Sequence, residues 1–165
     1  VKHGVFTKMA TAKNRRGDAA ANLTLERFLP YRLSVLANTV SLKVAAAYQR
    51  RFGLTIPEWR VMAMLAQYPN ISAVDVAERT AMDKVAVSRA VQALMAKGHI
   101  KRETHAEDRR RSMLTLSAAG RGVYKRVIPI ARAFEQQLLD ELSGRERKVL
   151  EDLITRLNER AQTLR

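Results

Sequence analysis

Residues 72–116 read SAVDVAERTAMDKVAVSRAVQALMAKGHIKRETHAEDRRRSMLTL, and this stretch decides the fold. Ser72 followed three residues later by Asp75 is a helix-start signal, and Val76 and Ala77 give the short helix that follows an apolar side. That helix ends near Thr80. After the tight connection Thr80-Ala-Met-Asp83, Asp83 is placed to cap a second helix running to Gly98. On this second helix Val87, Val91 and Leu94 recur at helical spacing and define an inner face. The opposite face then carries Lys84, Val85, Ser88, Arg89 and Gln92. From His99 the pattern changes to two short runs, 99–104 (HIKRET) and 111–116 (RSMLTL), joined by the polar loop HAEDRR. These read as a β-hairpin anchored by Ile100, Met113, Leu114 and Leu116. Two helices in tight succession with a hairpin behind them make a helix-turn-helix with a wing.

The outward side chains suit a DNA major groove. Arginine can hold guanine O6 and N7 in a fork, and glutamine can do the same for adenine. An apolar side chain such as Val85 can lie on a thymine methyl, while serine and lysine reach phosphates or bases. The hairpin loop contributes Asp108-Arg109-Arg110-Arg111, three guanidiniums at or beside the tip. A narrow minor groove concentrates negative potential and favours an inserted arginine. Asp108 fits beside phosphates only if it holds an arginine in position, as a bidentate carboxylate does.

Working outward, a helix begins near Pro30 and ends at Gly53, with Leu33, Leu36, Val40, Val44 and Ala47 as its apolar stripe. Another opens at Thr55-Ile-Pro-Glu58, where Thr55 caps, Glu58 reaches back and Pro57 fits the first turn. Its buried face is Trp59, Met62, Ala63 and Leu65, and Tyr68-Pro-Asn70 stops it. Beyond the hairpin, Ser117 caps a long helix through Tyr124, Val127, Ile130, Phe134 and Leu138 to Leu142, with Pro129 expected to kink it. Ser143-Gly-Arg-Glu146 opens the last helix as a capping box. Val149, Leu150, Leu153, Ile154, Leu157, Ala161 and Leu164 mark its stripe. Residues 1–22 lack sustained periodicity and are expected to form a flexible basic arm. Residues 23–165 are expected to form a single domain.

Composition narrows the function. Thirty Lys and Arg against sixteen Asp and Glu leave a net charge of +14, a field that draws polyanions such as nucleic acid or an anionic membrane surface. The arm and residues 79–111 are the most basic parts, at +4 and +5. Without a single cysteine there is no disulfide, thiolate metal site or thiol redox sensor. His3, His99 and His105 stand apart, with no carboxylate–histidine spacing for a metal. There is no Gly-rich phosphate loop, no Ser-His-Asp order and no paired carboxylates in an apolar setting, so the chain reads as neither an enzyme nor a cofactor carrier. No apolar run approaches bilayer length and no secretory h-region is evident, so the default address is the cytoplasm, with no membrane partner.

The order of elements resembles the MarR (multiple antibiotic resistance regulator) family. So do LTIPEWRVMAML, VAERTAMDKVAVSRAVQALMAKGHIKR and EDRRRSMLTLSAAG, and the likeness covers roughly residues 28–163. The resemblance implies a mainly α fold with a small β-hairpin wing. It places the winged helix-turn-helix at about 55–116 and dimerisation helices at about 28–52 and 117–163. It further implies a homodimer on a pseudo-palindromic operator in double-stranded DNA, with half-sites about one helical turn apart. Lys84, Ser88, Arg89 and Gln92 match the family's recognition face, Arg109 and Arg110 its wing tip, and Asp108 the acid that braces the wing. Positions 85–87 are Val-Ala-Val where many relatives are more polar, which shifts readout toward apolar contacts. Many such regulators are repressors released by a small anionic aromatic compound. Tyr31, Arg32, Trp59 and Arg60 match the helix ends that would line such a cleft, where an aromatic ring beside an arginine suits an aromatic carboxylate. LPYRLSVLAN is similar to the opening of MarR-type regulators of aromatic-acid catabolism, some of which respond to the coenzyme A thioester. The competing expectation is a winged-helix module that binds protein or RNA without reading a DNA sequence.

Overall fold

The computed structural model describes residues 23–104 and 112–164. A 3-10 turn at Leu25–Arg27 precedes six helices and two strands: α1 (Leu29–Phe52), α2 (Ile56–Gln67), α3 (Ala73–Thr80), α4 (Lys84–Ala96), β1 (Ile100–Thr104), β2 (Ser112–Leu116), α5 (Ala118–Leu139) and α6 (Gly144–Thr163). This is the mainly helical, hairpin-bearing class read from the sequence. The chain divides into a first unit ending at Thr39 and a second from Val40 onward, with α1 crossing the boundary.

Local chemistry sets the helix starts. At α2, α3 and α6 the capping residues Thr55, Ser72 and Ser143 each accept from the backbone three residues on, and Glu58, Asp75 and Glu146 each reach back to the cap's own N–H. Asp83 caps α4 by accepting from Val85 N and Ala86 N at 2.8 and 3.1 Å. Ser117 caps α5 from Gly120 N at 2.9 Å while its hydroxyl donates to Gly98 O at 2.6 Å. At Gly53 (φ +62°) and Gly98 (φ +67°) the chain turns left-handed as α1 and α4 end, a conformation with no Cβ penalty for glycine.

The core of the second unit gathers Tyr48, Leu54, Val61, Met62, Leu65, Val76, Val87, Val91, Leu94, Ile100, Leu114, Leu116 and Val127. Val87, Val91 and Leu94 are all essentially inaccessible, so the inner face of α4 lies where its periodicity put it. β1 and β2 pair antiparallel from Ile100↔Leu116 to Thr104↔Ser112. Leu114 also pairs with Ile71, donating to Ile71 O at 2.9 Å and accepting from Asn70 N at 3.2 Å, which ties the α2–α3 connection to the wing.

Several packing details differ from the sequence reading. In α1 the buried positions are Ala45 and Tyr48, whereas Ala47, Leu33 and Leu36 are exposed. Of the stripe read in α1, Val44 packs half-buried against the core of the second unit. Trp59, Ala63 and Met113 are only half-buried. α5 stops at Leu139, short of the expected Leu142, and Pro129 lies within it. Gly120, in its first turn, lies against the His99 carbonyl so closely that a Cβ would overlap it.

Gly120→Ala is therefore expected to destabilise the chain by ~1–3 kcal/mol through forced backbone movement. Gly122→Ala faces open space in the same helix and is expected to be neutral or stabilising by up to ~1 kcal/mol. Urea unfolding of the two variants beside the parent checks both signs.

Candidate nucleic-acid interface

The candidate interface is built on α3, its turn and α4. Ala81 takes a left-handed conformation (φ 51°, ψ 30°) and donates its N–H to the end of α3, closing the turn in four residues. Such a conformation in a residue with a Cβ costs ~1–2 kcal/mol, which the packing on both sides sustains. Asp83 then satisfies the first free N–H groups of α4 and sets a negative charge at the positive end of the helix. With Val87, Ala90, Val91 and Leu94 turned into the core, Lys84, Val85, Ser88, Arg89 and Gln92 are all exposed. Val85 is 57% exposed, an apolar side chain left in water on an otherwise polar face. Beside this face β1 exposes Lys101 and Arg102. The candidate wing-tip residues Asp108, Arg109, Arg110 and Arg111 lie outside the described residues.

The far end of α4 is held by charge. Lys97, its C-terminal cap, places Nζ 2.7 and 2.9 Å from the two carboxylate oxygens of Glu58 and 2.8 Å from Gly53 O. An ammonium has three donors, and all three are matched here. Glu58 is 3% exposed, whereas Lys97 is 36% exposed, so the pair is half-wet and is worth less than a fully buried one. Burial alone raises the Glu58 pKa, but the bonds from Lys97 and from Thr55 N–H and hydroxyl outweigh it and leave the carboxyl below its ordinary range. Burial, then the nearby Lys97 charge, lowers the His99 pKa. Sequence reasoning saw Glu58 only as a cap, because its partner stands 39 residues away and no periodicity links them. It missed equally that Arg79 stacks over Tyr68 at 4.4 Å, beside the C-terminal end of α2.

The candidate effector residues belong to two different units of the chain. Tyr31 and Arg32 lie in the first turn of α1, in the first unit, and are exposed. In the second unit Trp59 and Arg60 line one cleft of about 320 Å3 with Ala63, Met64, Gln67, Thr80 and Tyr124. Trp59 sits between two rings, 5.7 Å from Tyr48 and stacked on Tyr124 at 5.5 Å. Burial pushes the Tyr48 phenol up to about 12, against the opposing charge of Arg60. Arg60 donates to Ser41 Oγ at 3.0 Å. Among the described residues no cluster of His, Cys, Asp and Glu is arranged to hold a metal, and no helix is long and apolar enough to cross a membrane.

This geometry recurs in known proteins. Residues 52–111 match the MarR family. A MarR/EmrR-family transcriptional regulator from Acinetobacter sp. ADP1 superposes with a TM-score of 0.79 at 30% identity, over 86% of this chain and 100% of its own. The chain belongs to the MarR family. It is a DNA-binding transcriptional regulator of the winged-helix type. Its relatives include the transcriptional regulator HosA of Escherichia coli O127:H6, 29% identical over 104 residues that span 63% of this chain and 77% of HosA. The fold is also that of the PcaV regulator from Streptomyces coelicolor, solved in complex with its natural ligand (TM-score 0.72, 24% identity, 85% of this chain and 98% of PcaV).

Because the folded pKa of Glu58 is depressed, the stability it contributes is present above its unfolded value near pH ~4.3 and is lost as pH falls through the folded value. Glu58→Gln is expected to cost ~1–3 kcal/mol at pH 7, discounted for the exposure of Lys97, and to flatten the fall in stability below pH ~4.5. Urea midpoints from pH 7 to pH 3 measure both effects.

Proposed function

We propose that this MarR-family regulator is a homodimeric repressor that reads a pseudo-palindromic operator with the exposed face of α4 and grips the adjacent minor groove with its arginine-tipped wing. The observation that carries the reading is the division of α4 into a sealed apolar face and an exposed face of Lys84, Val85, Ser88, Arg89 and Gln92. Arg89 and Gln92 are the forked readers, Val85 the apolar contact, and Lys84 and Ser88 the phosphate or base partners. Arg109, Arg110 and Arg111 enter the narrow groove with Asp108 bracing them.

The dimer rests on α6. Val149, Leu150, Leu153, Ile154 and Leu157 form a helical stripe, yet no residue of α6 is buried within one chain. A stripe of that size left in water is accounted for by a second copy. Two winged modules then fall on successive half-sites. Release is assigned to a small anionic aromatic compound or its coenzyme A thioester, lodged against the Trp59–Tyr124 stack with Arg60 at the rim of their shared cleft. The fold likeness to a regulator that holds a natural ligand supports this.

Selection of bound duplexes is expected to return one palindromic motif, with affinity falling steeply as salt rises. Arg89→Ala and Gln92→Ala should each cost ~1–3 kcal/mol and relax preference at particular bases. Arg110→Ala should weaken all sequences and lower the salt slope by about 1. Leu153→Asp should yield monomers by sedimentation and lose tight operator binding. Retention of parental affinity and motif by both Arg89→Ala and Arg110→Ala would overturn the docking geometry.

A further inference from the structure

Lys97-Gly98-His99 joins the end of α4 to the first wing strand, and contacts from other elements converge on this corner. The Lys97 ammonium finds all its acceptors elsewhere in the chain. They are both carboxylate oxygens of Glu58, at 2.7 and 2.9 Å, and Gly53 O, just past the end of α1, at 2.8 Å. Gly98 O accepts from the Ser117 hydroxyl at 2.6 Å, and His99 O accepts from Ser117 N at 2.9 Å, so the cap of α5 is held by the same corner. Gly120, in the first turn of α5, stands where any side chain would strike the His99 carbonyl. Arg126 of α5 closes the third side, its guanidinium 5.3 Å from the Phe52 ring at the end of α1. The end of α4, the end of α1 and the start of α5 thus meet in one triangle.

The sides of that triangle are secured differently. Gly98 and His99 hold α5 through backbone carbonyls, and His99 Nδ1 is buried without a hydrogen bond among the described residues. The side α4 shares with α1 is held by the Lys97 side chain. A lysine at the end of a helix ordinarily serves that helix's own last carbonyls. Lys97 reaches away from its helix instead, to residues 39 and 44 positions distant in sequence. Its stem therefore sets the separation between the last turn of α4 and the α1–α2 corner. With α4 ~20 Å long, ~2 Å of play at this end would tilt the helix by ~6°.

We propose that Lys97 is a positioning residue for operator reading: clamped on Glu58 and Gly53, it aligns α4 with α1 and α5 and so fixes the half-site spacing that the dimer accepts. The inference rests on the reading of the chain as a dimer on a palindromic operator, in which α5 leads on to α6 and its apolar stripe meets the second copy. All three ammonium donors are matched within the chain, so Lys97 has none left for a phosphate. Its part is thus distinct from that of Lys84 or Arg89 on the exposed face of the same helix.

The test uses the full chain and duplexes carrying the selected half-sites at their own spacing, with one base pair added, and with one removed. Each such step moves the second half-site by ~3.4 Å and turns it by ~35°. A duplex with a single half-site completes the series. The variant combines Lys97→Met with Glu58→Gln, which leaves no buried charge unpaired, and a glutamine at 58 still accepts from Thr55 N–H. Urea unfolding at the assay temperature establishes that it is folded. The parent is expected to favour its own spacing by ~100-fold or more, because a misplaced half-site forfeits simultaneous engagement. In the double variant that preference should fall below ~10-fold, with single half-site binding within about twofold of the parent and the salt slope unchanged. A double variant that keeps the parent's full preference overturns the proposal. So does an equal loss on every duplex with a shallower salt slope, which would make Lys97 a phosphate contact. A parent indifferent to spacing strikes the dimeric reading on which the proposal rests, an outcome recognisable without the variant.

Discussion

Burial of one face of α4 is the constraint on which the rest of the structure depends. Val87, Val91 and Leu94 are sealed in the core, each worth ~1.5–3 kcal/mol of apolar burial. Together they exceed any single polar contact at the helix ends, so the rotation of α4 about its axis is set by apolar packing. A rotation that brought Arg89 inward would expose this face and bury a charge. The direction in which Lys84, Arg89 and Gln92 point is thus a consequence of what the other side of the helix cannot give up.

Packing fixes rotation, and polar contacts fix the ends. Asp83 holds the front of α4, and Lys97 ties the back to Glu58 and Gly53 at the α1–α2 corner. The wing is fastened by backbone: Leu114 to Ile71, and Ser117 to the chain just after α4. The close approach of Gly120 to His99 seats α5 against that same junction. Helix, wing base and α5 therefore share one set of contacts.

The parts of this arrangement that local chemistry writes were legible in the sequence. Capping boxes at Thr55, Ser72 and Ser143, the Asp83 cap, the glycine stops and the 87–91–94 stripe each depend on residues within a turn or two, and each was found as read. The hairpin ends agreed to within one residue. Features that depend on distant partners were not legible. Nothing near Glu58 in sequence announces Lys97, and nothing near Leu114 announces Ile71. The α1 stripe shows a further limit, for Leu33 and Leu36 have helical spacing yet stay exposed in one chain. Periodicity reveals that a face is apolar without revealing what covers it. For the site, the positions exposed on α4 are those the helical spacing gives, and Trp59 and Arg60 share one cleft whose described lining does not include Tyr31 or Arg32.

The central claim, that the outward face of α4 occupies the major groove, has a direct physical test because the chain lacks cysteine. A single thiol introduced as Ser88→Cys is offered the selected operator carrying a thiol-tethered base in its major groove, with Gln67→Cys on α2 as the comparison. Rapid disulfide cross-linking is expected from position 88, blocked by excess plain operator, with little from position 67. Cross-linking at 67 with none at 88 would contradict the claim.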